Sequence, residues 1–217
     1  MRPSLLYIGR IREEYSKKSL GKKDVDQNPF AQFENWFSQA LETESRVPNA
    51  MTLSTASKEG KPNARVLLLK DFSEVGFTFF TNYDSRKGIE LAENPQGHLL
   101  FFWDELQRQI RIEGQIQKVS RKESEEYFQS RPRGSQIGAI ASPQSCEIED
   151  RLFLENKKNT IESEMNGIEN LPCPQNWGGY ILKPHRFEFW QGRMNRLHDR
   201  IIYENDGGVW KIGRLAP

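Results

Sequence analysis

Hydrophobic residues recur at helical spacing directly after Asn28-Pro29. Asparagine is a favourable helix N-cap and proline fits the first helical turn, so these two residues mark a helix start. The positions that follow would bury one aromatic-rich face. That face consists of Phe30, Phe33, Trp36, Phe37, Ala40 and Leu41. We predict a core helix here rather than a cofactor-binding stripe.

Short apolar segments separated by turn-forming residues dominate the rest of the chain. Their short connections favour antiparallel strands, because antiparallel neighbours need no crossover helix. The predicted strands are 51–57, 64–70, 76–81, 97–103, 108–120, 178–192, 196–205 and 209–215. Helices are predicted at 85–94, 121–131, 135–142 and 148–165. The predicted fold class is therefore α+β: mainly β, an antiparallel barrel with peripheral helices.

The charge balance limits the classes of partner. The 217 residues include 31 basic and 30 acidic side chains, for a formal net charge of +1. Nucleic-acid-binding domains usually carry a clear basic excess, so this balance argues against a nucleic-acid partner. The first 15 residues contain no long apolar run, which argues against a signal peptide and a membrane span.

The two cysteines favour a cytoplasmic location. Cys146 and Cys173 lie far apart and lack metal-ligand spacing. We predict two reduced thiols in a cytoplasmic protein and no metal site, while a disulfide between them stays open.

Residues 1–27 form a polar, basic arm, and residues 28–217 are predicted to form a single domain. The arm is expected to be partly mobile and mostly solvated. One alternative is an arm that closes over an anionic ligand. Another is a second anionic site built from Lys17, Lys18, Lys22 and Lys23.

Two cations occupy the first turn of the helix predicted after Ser85. Arg86 and Lys87 oppose the helix macrodipole there, because a helix N-terminus favours negative charge. A bound phosphate would compensate, since backbone N–H groups and both cations would converge on it. The alternative is that both side chains are simply solvated.

A second donor set lies at 127–138. Tyr127, Arg131 and Ser135 recur every four residues, although Pro132 predicts a helix break between them. Two hydroxyl groups with an arginine fork suit a phosphate, and an ordinary helix–turn–helix surface is the alternative. Arg65 and Lys70 bracket an apolar strand that could run along a flat ligand or simply be buried.

The stretch FWQGRMNRLHDR at 189–200 carries several cationic groups. Arg196, His198 and Arg200 fall at alternate positions, beside Trp190. In an extended strand such positions share one face, so the three groups are predicted to point the same way. A surface strand with cross-strand salt bridges is the alternative.

Seven motifs occur in order along the chain: RVLLLK, FTNYDSRKG, RQIRIEG, YFQSRPRGSQIGA, SPQS, FWQGRMNRLHDR and the terminal RLAP. Together they resemble the pyridoxine/pyridoxamine 5′-phosphate oxidase family, from about Arg12 to Pro217. The segments RPRGSQIG and NRLHDR-to-RLAP are the most specific. The resemblance implies a split β-barrel homodimer with FMN in a cleft at the subunit interface.

The resemblance also implies the site residues, motif by motif. FMN would be bound by Arg65, Val66, Leu67, Leu68, Lys70, Phe80, Thr81, Arg86, Lys87, Gln109, Gln144, Ser145, Trp190 and Arg200. The substrate would be bound by Arg12, Tyr15, Lys70, Tyr127, Arg131, Ser135, Arg196 and His198. Of these, Arg196 and His198 are the implied catalytic residues.

The implied activity is oxidation of pyridoxine 5′-phosphate and pyridoxamine 5′-phosphate to pyridoxal 5′-phosphate. A hydride would pass from the C4′ carbon to FMN, and O₂ would accept the electrons and give H₂O₂. The rival interpretations are a split-barrel flavoprotein with a different substrate and a non-catalytic carrier of FMN or pyridoxal phosphate. The chain departs from the family at Val47, where an acidic residue usually precedes the proline.

Overall fold

The computed structural model describes Tyr15 and residues 18–217. The helices in this part are α1 (Pro29–Leu41), α2 (Arg86–Glu93), α3 (Arg121–Ser130), α4 (Arg133–Ala141) and α5 (Arg151–Glu164). The strands are β1 (Ala50–Ala56), β2 (Pro62–Leu68), β3 (Asp71–Ser73), β4 (Gly76–Asn82), β5 (Gln96–Trp103), β6 (Arg108–Lys118), β7 (Trp177–Gln191), β8 (Asp199–Asp206) and β9 (Val209–Leu215). Every predicted element is present, and the short strand β3 is additional.

The strands form one hydrogen-bonded sheet. Their order is β2-β1-β5-β6-β7-β4-β3, with β8 paired to β7 and β9 paired to β8. Antiparallel registers join β1 to β2, β3 to β4, β4 to β7, β7 to β8 and β8 to β9. The prediction of a mainly β, antiparallel fold with peripheral helices is confirmed.

The chain divides into two compact units. The first contains the described part of Met1–Pro48 together with Leu100–Ile112 and Arg186–Pro217. The second contains Asn49–Leu99 and Glu113–His185. One boundary falls just before β1, and the other three fall within strands β5, β6 and β7.

Aromatic side chains build the core of the first unit. The Asn28 side chain caps α1 by accepting a hydrogen bond from the Phe30 amide, as predicted. Phe33 meets Phe101 edge-on at 5.3 Å between ring centroids, and Trp36 meets Phe189 at the same distance. These contacts confirm the predicted aromatic face of α1, except that its last member, Leu41, is exposed.

The described part of the basic arm packs within the first unit. Leu20 and Val25 are buried. The Leu20 amide donates to Asp199 at 3.0 Å, and the Tyr203 hydroxyl donates to the Asp26 carbonyl at 2.6 Å. These two apolar residues anchor the stretch, whereas Lys18, Lys22 and Lys23 are exposed, so the partly mobile, mostly solvated arm stays a prediction. Residues 1–14, 16 and 17 lie outside the described residues.

The second unit contains a strand core and a helical cluster. Leu53, Phe77, Phe79 and Leu99 are fully buried in the strands. The helical cluster comprises Phe128, Ile137, Ala141, Ile161, Leu171, Cys173 and Trp177. In the part of the chain that the structure describes, no helix is both long enough and apolar enough to cross a membrane.

Candidate functional site

A buried lysine stands at the start of α2 in the second unit. Ser85 caps this helix, as predicted, and Lys87 lies in its first turn. The Lys87 amine donates to Ser85 Oγ at 3.0 Å, to Thr81 Oγ1 at 3.2 Å and to Gln144 Oε1 at 2.9 Å. Three neutral acceptors orient the amine but do not neutralise it. Within the described residues, Lys87 makes no ion pair.

The electrostatics of Lys87 follow from this burial. Removal from water and, to a smaller extent, the nearby Arg65 charge lower the Lys87 pKa to about 8, while Glu90 opposes both effects. An anion placed against the amine would restore the protonated state. The geometry therefore suits a phosphate at the helix N-terminus.

The two arginines near Lys87 share one carboxylate. Glu90 accepts hydrogen bonds from Arg65 Nη2 at 3.3 Å and from Arg86 Nε at 2.9 Å. Thr55 and Asn63 donate to the same side chain at 2.5 Å and 3.1 Å. Burial raises the Glu90 pKa, but these hydrogen bonds and the arginine charges outweigh it, so the pKa is lowered. Glu90 is thus a buried, ionised carboxylate that binds both Arg65 and Arg86.

A stack of flat side chains orients Arg131. Phe80 lies 3.8 Å from Tyr127 between ring centroids, and the Tyr127 and Trp177 rings are nearly parallel at 6.2 Å. The Arg131 guanidinium sits 4.7 Å from the Trp177 ring centroid, within cation–π distance. Arg131 follows the end of α3 with extended backbone, so the break predicted at Pro132 is confirmed.

A cavity of about 320 Å³ adjoins this stack. Its lining residues are Asn82, Arg131, Ser135, Gly138, Ala139, Ser142, Gln144 and Trp177. The Arg131 Nη1 atom is buried and has no hydrogen-bond partner among the described residues. Burial lowers the Arg131 pKa, since the charged form loses its hydration. A guanidinium with a spare donor beside a serine hydroxyl fits a phosphate group.

Strand β2 presents an apolar row at one end of the sheet order. Val66 is 67% exposed and Leu68 is 37% exposed, and both point the same way because alternate residues share a face. Leu67 is half-buried on the other face, and Lys70 is exposed just beyond the strand. Ser145, next to Gln144, is exposed and adopts a left-handed backbone with φ 72°.

In the first unit, two aromatic side chains pack against His198. Trp190 lies 4.6 Å from His198 between ring centroids, and Tyr15 meets these two rings edge-on at 5.8 Å and 5.9 Å. Gly192 permits this arrangement, because a Cβ atom there would lie 2.7 Å from the Tyr15 ring. Tyr15 is therefore placed against two predicted site residues, whereas Arg12 lies outside the described residues.

A backbone contact fixes the proton on His198. The Arg193 amide donates to Nδ1 of His198 at 3.1 Å, so Nδ1 is the acceptor and Nε2 carries the proton in the neutral ring. Burial lowers the His198 pKa, the Arg196 charge lowers it further, and Asp199 opposes both. His198 thus offers a neutral N–H donor.

The predicted common face of Arg196, His198 and Arg200 is wrong. Strand β8 begins only at Asp199, and Arg196 belongs to the 3₁₀ turn Met194–Arg196. Asn195 and Arg196 have φ values of 56° and 60°, which are left-handed and incompatible with a strand. Strand alternation therefore starts after Arg196 and His198.

Arg200 is held by a buried carboxylate. Its Nε and Nη2 atoms donate to both Glu188 oxygens, at 2.8 Å and 2.9 Å, and its Nη1 atom donates to the Ala216 carbonyl. Arg111 lies 3.7 Å from the same carboxylate. Gln109, another predicted flavin contact, is half-buried on β6.

Comparison with known proteins assigns the chain to a family. The family profile described as "Pyridoxamine 5′-phosphate oxidase" matches residues 37–163. A second profile, described as "Pyridoxine 5′-phosphate oxidase C-terminal dimerisation region", matches residues 177–217. The chain belongs to the pyridoxamine 5′-phosphate oxidase family. The resemblance found in the sequence motifs is thereby confirmed.

Relatives within the family cover nearly the whole chain. A pyridoxine/pyridoxamine 5′-phosphate oxidase from Burkholderia pseudomallei (strain 1106a) is 53% identical over 213 residues, covering 97% of this chain and 99% of the relative. One of the same name from Cyanothece sp. (strain PCC 7425 / ATCC 29141) is 52% identical over 210 residues, covering 97% of this chain and 98% of the relative.

Solved structures confirm the split-barrel fold class of the family. PhzG from Burkholderia lata 383, in complex with tetrahydrophenazine-1-carboxylic acid, aligns with a TM-score of 0.86 and 32% identity, covering 93% of this chain and all of PhzG. A pyridoxamine 5′-phosphate oxidase-related, FMN-binding protein from Nostoc punctiforme aligns with a TM-score of 0.70 and 16% identity, covering 89% of this chain and all of that chain. The second likeness supports the fold alone.

Several residues of this site escaped the sequence analysis. Glu90 and Trp177 were not singled out, although Glu90 stands four residues after Arg86, a spacing typical of helical ion pairs. The contact between Trp177 and Arg131 spans 46 positions, and the hydrogen bond between the Arg193 amide and His198 depends on a left-handed turn. No local sequence pattern predicts either contact.

Proposed function

We propose that this protein is an FMN-dependent oxidase that converts pyridoxine 5′-phosphate and pyridoxamine 5′-phosphate to pyridoxal 5′-phosphate. Membership of the family and the identity of 53% to an oxidase of that name support the proposal. When bound, FMN would supply the hydride acceptor for the C4′ carbon of the substrate, with O₂ as the final electron acceptor and H₂O₂ as its product. With pyridoxamine 5′-phosphate, hydrolysis of the resulting imine by water would release ammonia. The residues of the chain would bind FMN and the substrate, orient the substrate and hold the proton on His198.

The cluster at the start of α2 fits the phosphate of FMN. Lys87 is buried and not paired with a carboxylate in the described residues, and Arg65 and Arg86 flank it. We assign these three cations to the FMN phosphate, with Thr81 and Gln144 holding the lysine amine in place. The ordered donors lose little further entropy when the anion binds.

The single observation that carries the choice of substrate is the Arg131 cavity. It is lined by a guanidinium and the Ser135 hydroxyl, and the buried Nη1 atom of Arg131 lacks a partner within the described residues. We assign this cavity to the substrate phosphate, with Tyr127 and Lys70 as further donors. Anchoring the phosphate would fix the position of C4′ for the reaction.

His198 and Arg196 are assigned to the substrate ring. His198 would donate its Nε2 proton to an oxygen on the ring, since its Nδ1 atom is occupied by the Arg193 amide. Arg196 is exposed and carries a permanent charge, so it can stabilise negative charge that develops during the reaction. Tyr15, packed on Trp190 and His198, would cover the ring from the arm.

The match to a dimerisation region supports a homodimer. We assign FMN to the interface between two subunits, with Trp190, Arg200 and Gln109 completing its site. The remaining partners in this proposal are the two phosphorylated substrates and O₂, in the cytoplasm.

An anaerobic visible spectrum tests the function directly. The purified protein is loaded with FMN and pyridoxine 5′-phosphate is added without oxygen. We expect the flavin absorption bands to bleach and to return when air is admitted. The spectrum of an Arg131→Met variant should bleach only at much higher substrate concentration, because the phosphate loses its anchor. A bound flavin that never bleaches would contradict the oxidase assignment.

A flavoprotein with a different substrate is the second candidate. The structural similarity to PhzG, solved with a tetrahydrophenazine carboxylic acid, favours testing it. The same protein is therefore mixed with a tricyclic carboxylic acid of that type. If only this compound bleaches the flavin bands, the proposed substrate is wrong. If only pyridoxine 5′-phosphate bleaches them, the second candidate is excluded.

A further inference from the structure

We propose that Glu90 is a positioning residue of the cofactor site, which holds Arg65 and Arg86 in the orientation that receives the FMN phosphate. The inference rests on the proposed function, because it assumes that this cluster binds FMN. Glu90 itself would not touch the cofactor, since it acts through the two arginines.

The contacts of Glu90 are divided between its two oxygens. Oε1 accepts from Arg86 Nε at 2.9 Å and from Asn63 Nδ2 at 3.1 Å. Oε2 accepts from Thr55 Oγ1 at 2.5 Å and from Arg65 Nη2 at 3.3 Å. The carboxylate side chain is only 7% exposed. A buried carboxylate with four donors has one orientation, so it can define the orientation of both guanidinium groups.

The two arginines depend on Glu90 to different degrees. The Arg65 side chain is 18% exposed, and its Nη1 atom also donates to the Leu53 carbonyl and to Thr55. The Arg86 side chain is 65% exposed, and within the described residues it donates to Glu90 alone. Loss of the carboxylate would therefore leave Arg65 partly held and would release Arg86. A released arginine must lose rotamer freedom again when it binds an anion.

Charge repulsion works in the opposite direction, because a carboxylate near a phosphate disfavours binding. Two guanidinium groups already lie against Glu90 and offset its charge. We therefore infer that orientation outweighs repulsion. Two conservative variants separate the effects: Glu90→Asp keeps the charge but shortens the reach, and Glu90→Gln removes the charge but keeps an oxygen acceptor at the same reach.

Riboflavin provides the decisive comparison, since it lacks the phosphate of FMN. Dissociation constants of both flavins are measured by quenching of flavin fluorescence, for the wild type and for the Glu90→Ala, Glu90→Asp and Glu90→Gln variants. Glu93→Ala, an exposed carboxylate on the same helix, is the matched control. We expect Glu90→Ala and Glu90→Asp to weaken FMN binding by about tenfold, and to leave riboflavin binding within about twofold. Glu90→Gln keeps an oxygen acceptor for only one of the two arginines, so it should weaken FMN binding by less than Glu90→Ala does, about threefold.

Other results of these binding measurements would contradict either the positioning role of Glu90 or the proposed function. Equal loss of FMN and riboflavin would show a general structural role for Glu90. Unchanged or tighter FMN binding in both Glu90→Ala and Glu90→Asp would show that orientation does not matter. If Glu90→Ala fails to fold, Glu90→Asp decides between these outcomes. A wild-type protein that binds neither flavin would instead overturn the proposed function.

Discussion

In the proposed FMN site, the charge of Lys87 should make cofactor binding depend on pH. Its pKa of about 8 in the absence of an anion means that the amine is largely neutral at pH 9, whereas a bound phosphate requires the protonated form. Binding above pH 8 must therefore take up a proton, and FMN affinity should fall by up to about tenfold per pH unit there. The dissociation constant of FMN between pH 7 and pH 9.5 measures this.

A matched variant isolates the lysine from other groups that titrate. Lys87→Arg keeps a cation that stays protonated throughout this pH range, so its FMN affinity should be nearly independent of pH. A wild-type affinity that does not change above pH 8 would contradict the assignment of Lys87 to the phosphate.

His198 should set the acid limb of activity. Burial and the Arg196 charge lower its pKa from the ordinary value of 6.5, so the neutral ring predominates at pH 6.5. Protonation below that pH places a proton on Nδ1 and breaks the hydrogen bond from the Arg193 amide that orients the ring. We expect kcat/KM to fall with pH only below 6.5. His198→Gln, which can retain an N–H donor, should keep more activity than His198→Leu, with a difference of about tenfold or more. An acid limb centred above 6.5 would contradict this role.

The strands around Glu188 depend on a buried ion pair. Glu188 on β7 is 2% exposed and meets Arg200 on β8, where the two residues form a two-pronged contact. Removing the carboxylate leaves a poorly hydrated guanidinium, so Glu188→Ala should lower the free energy of unfolding by about 3 kcal/mol. Urea denaturation measures this.

The control for Glu188 is another ion pair between the same two strands. Glu204 on β8 lies 3.4 Å from Arg186 on β7 but is 59% exposed. Because water already screens this pair, Glu204→Ala should cost less than about 1 kcal/mol. Equal losses in both variants would mean that burial of Glu188 contributes nothing.

Local signals in the sequence were sufficient for the elements but not for every site residue. The caps Asn28 and Ser85 and the break at Pro132 were predicted because each acts on its immediate neighbours. The common face across 196–200 was mispredicted, because the left-handed backbone at Asn195 and Arg196 replaces an extended one. Asparagine tolerates this conformation, but an arginine gives no local sign of it.

The sequence analysis did not identify Glu90 and Trp177, because each contacts a residue distant in sequence. The motifs named Arg65, Lys87 and Arg131, but the residues that hold them come from other elements. Glu90 lies 25 positions from Arg65, and Trp177 lies 46 positions from Arg131. Such pairs are created by the fold, so a single sequence without its structure does not reveal them.

A homodimer would explain why strand β2 exposes apolar side chains in the single chain. Val66 and Leu68 lie on a strand that pairs with β1 and stands at the end of the sheet order. Exposed apolar edge strands promote unwanted association unless something covers them. In the proposed homodimer with FMN at the interface, the cofactor and the second subunit would cover this row.

A charge placed on that row should therefore damage assembly and cofactor binding together. We expect Val66→Glu to shift the protein from dimer toward monomer at low micromolar concentration and to weaken FMN binding by at least about tenfold, because the carboxylate would lose its hydration in the interface. Val75→Glu is the control, since Val75 is 60% exposed but lies between β3 and β4. Sedimentation velocity with and without FMN measures both effects. A Val66→Glu protein that remains a dimer with normal FMN affinity would place the interface elsewhere, because a buried carboxylate without a partner could not be tolerated there.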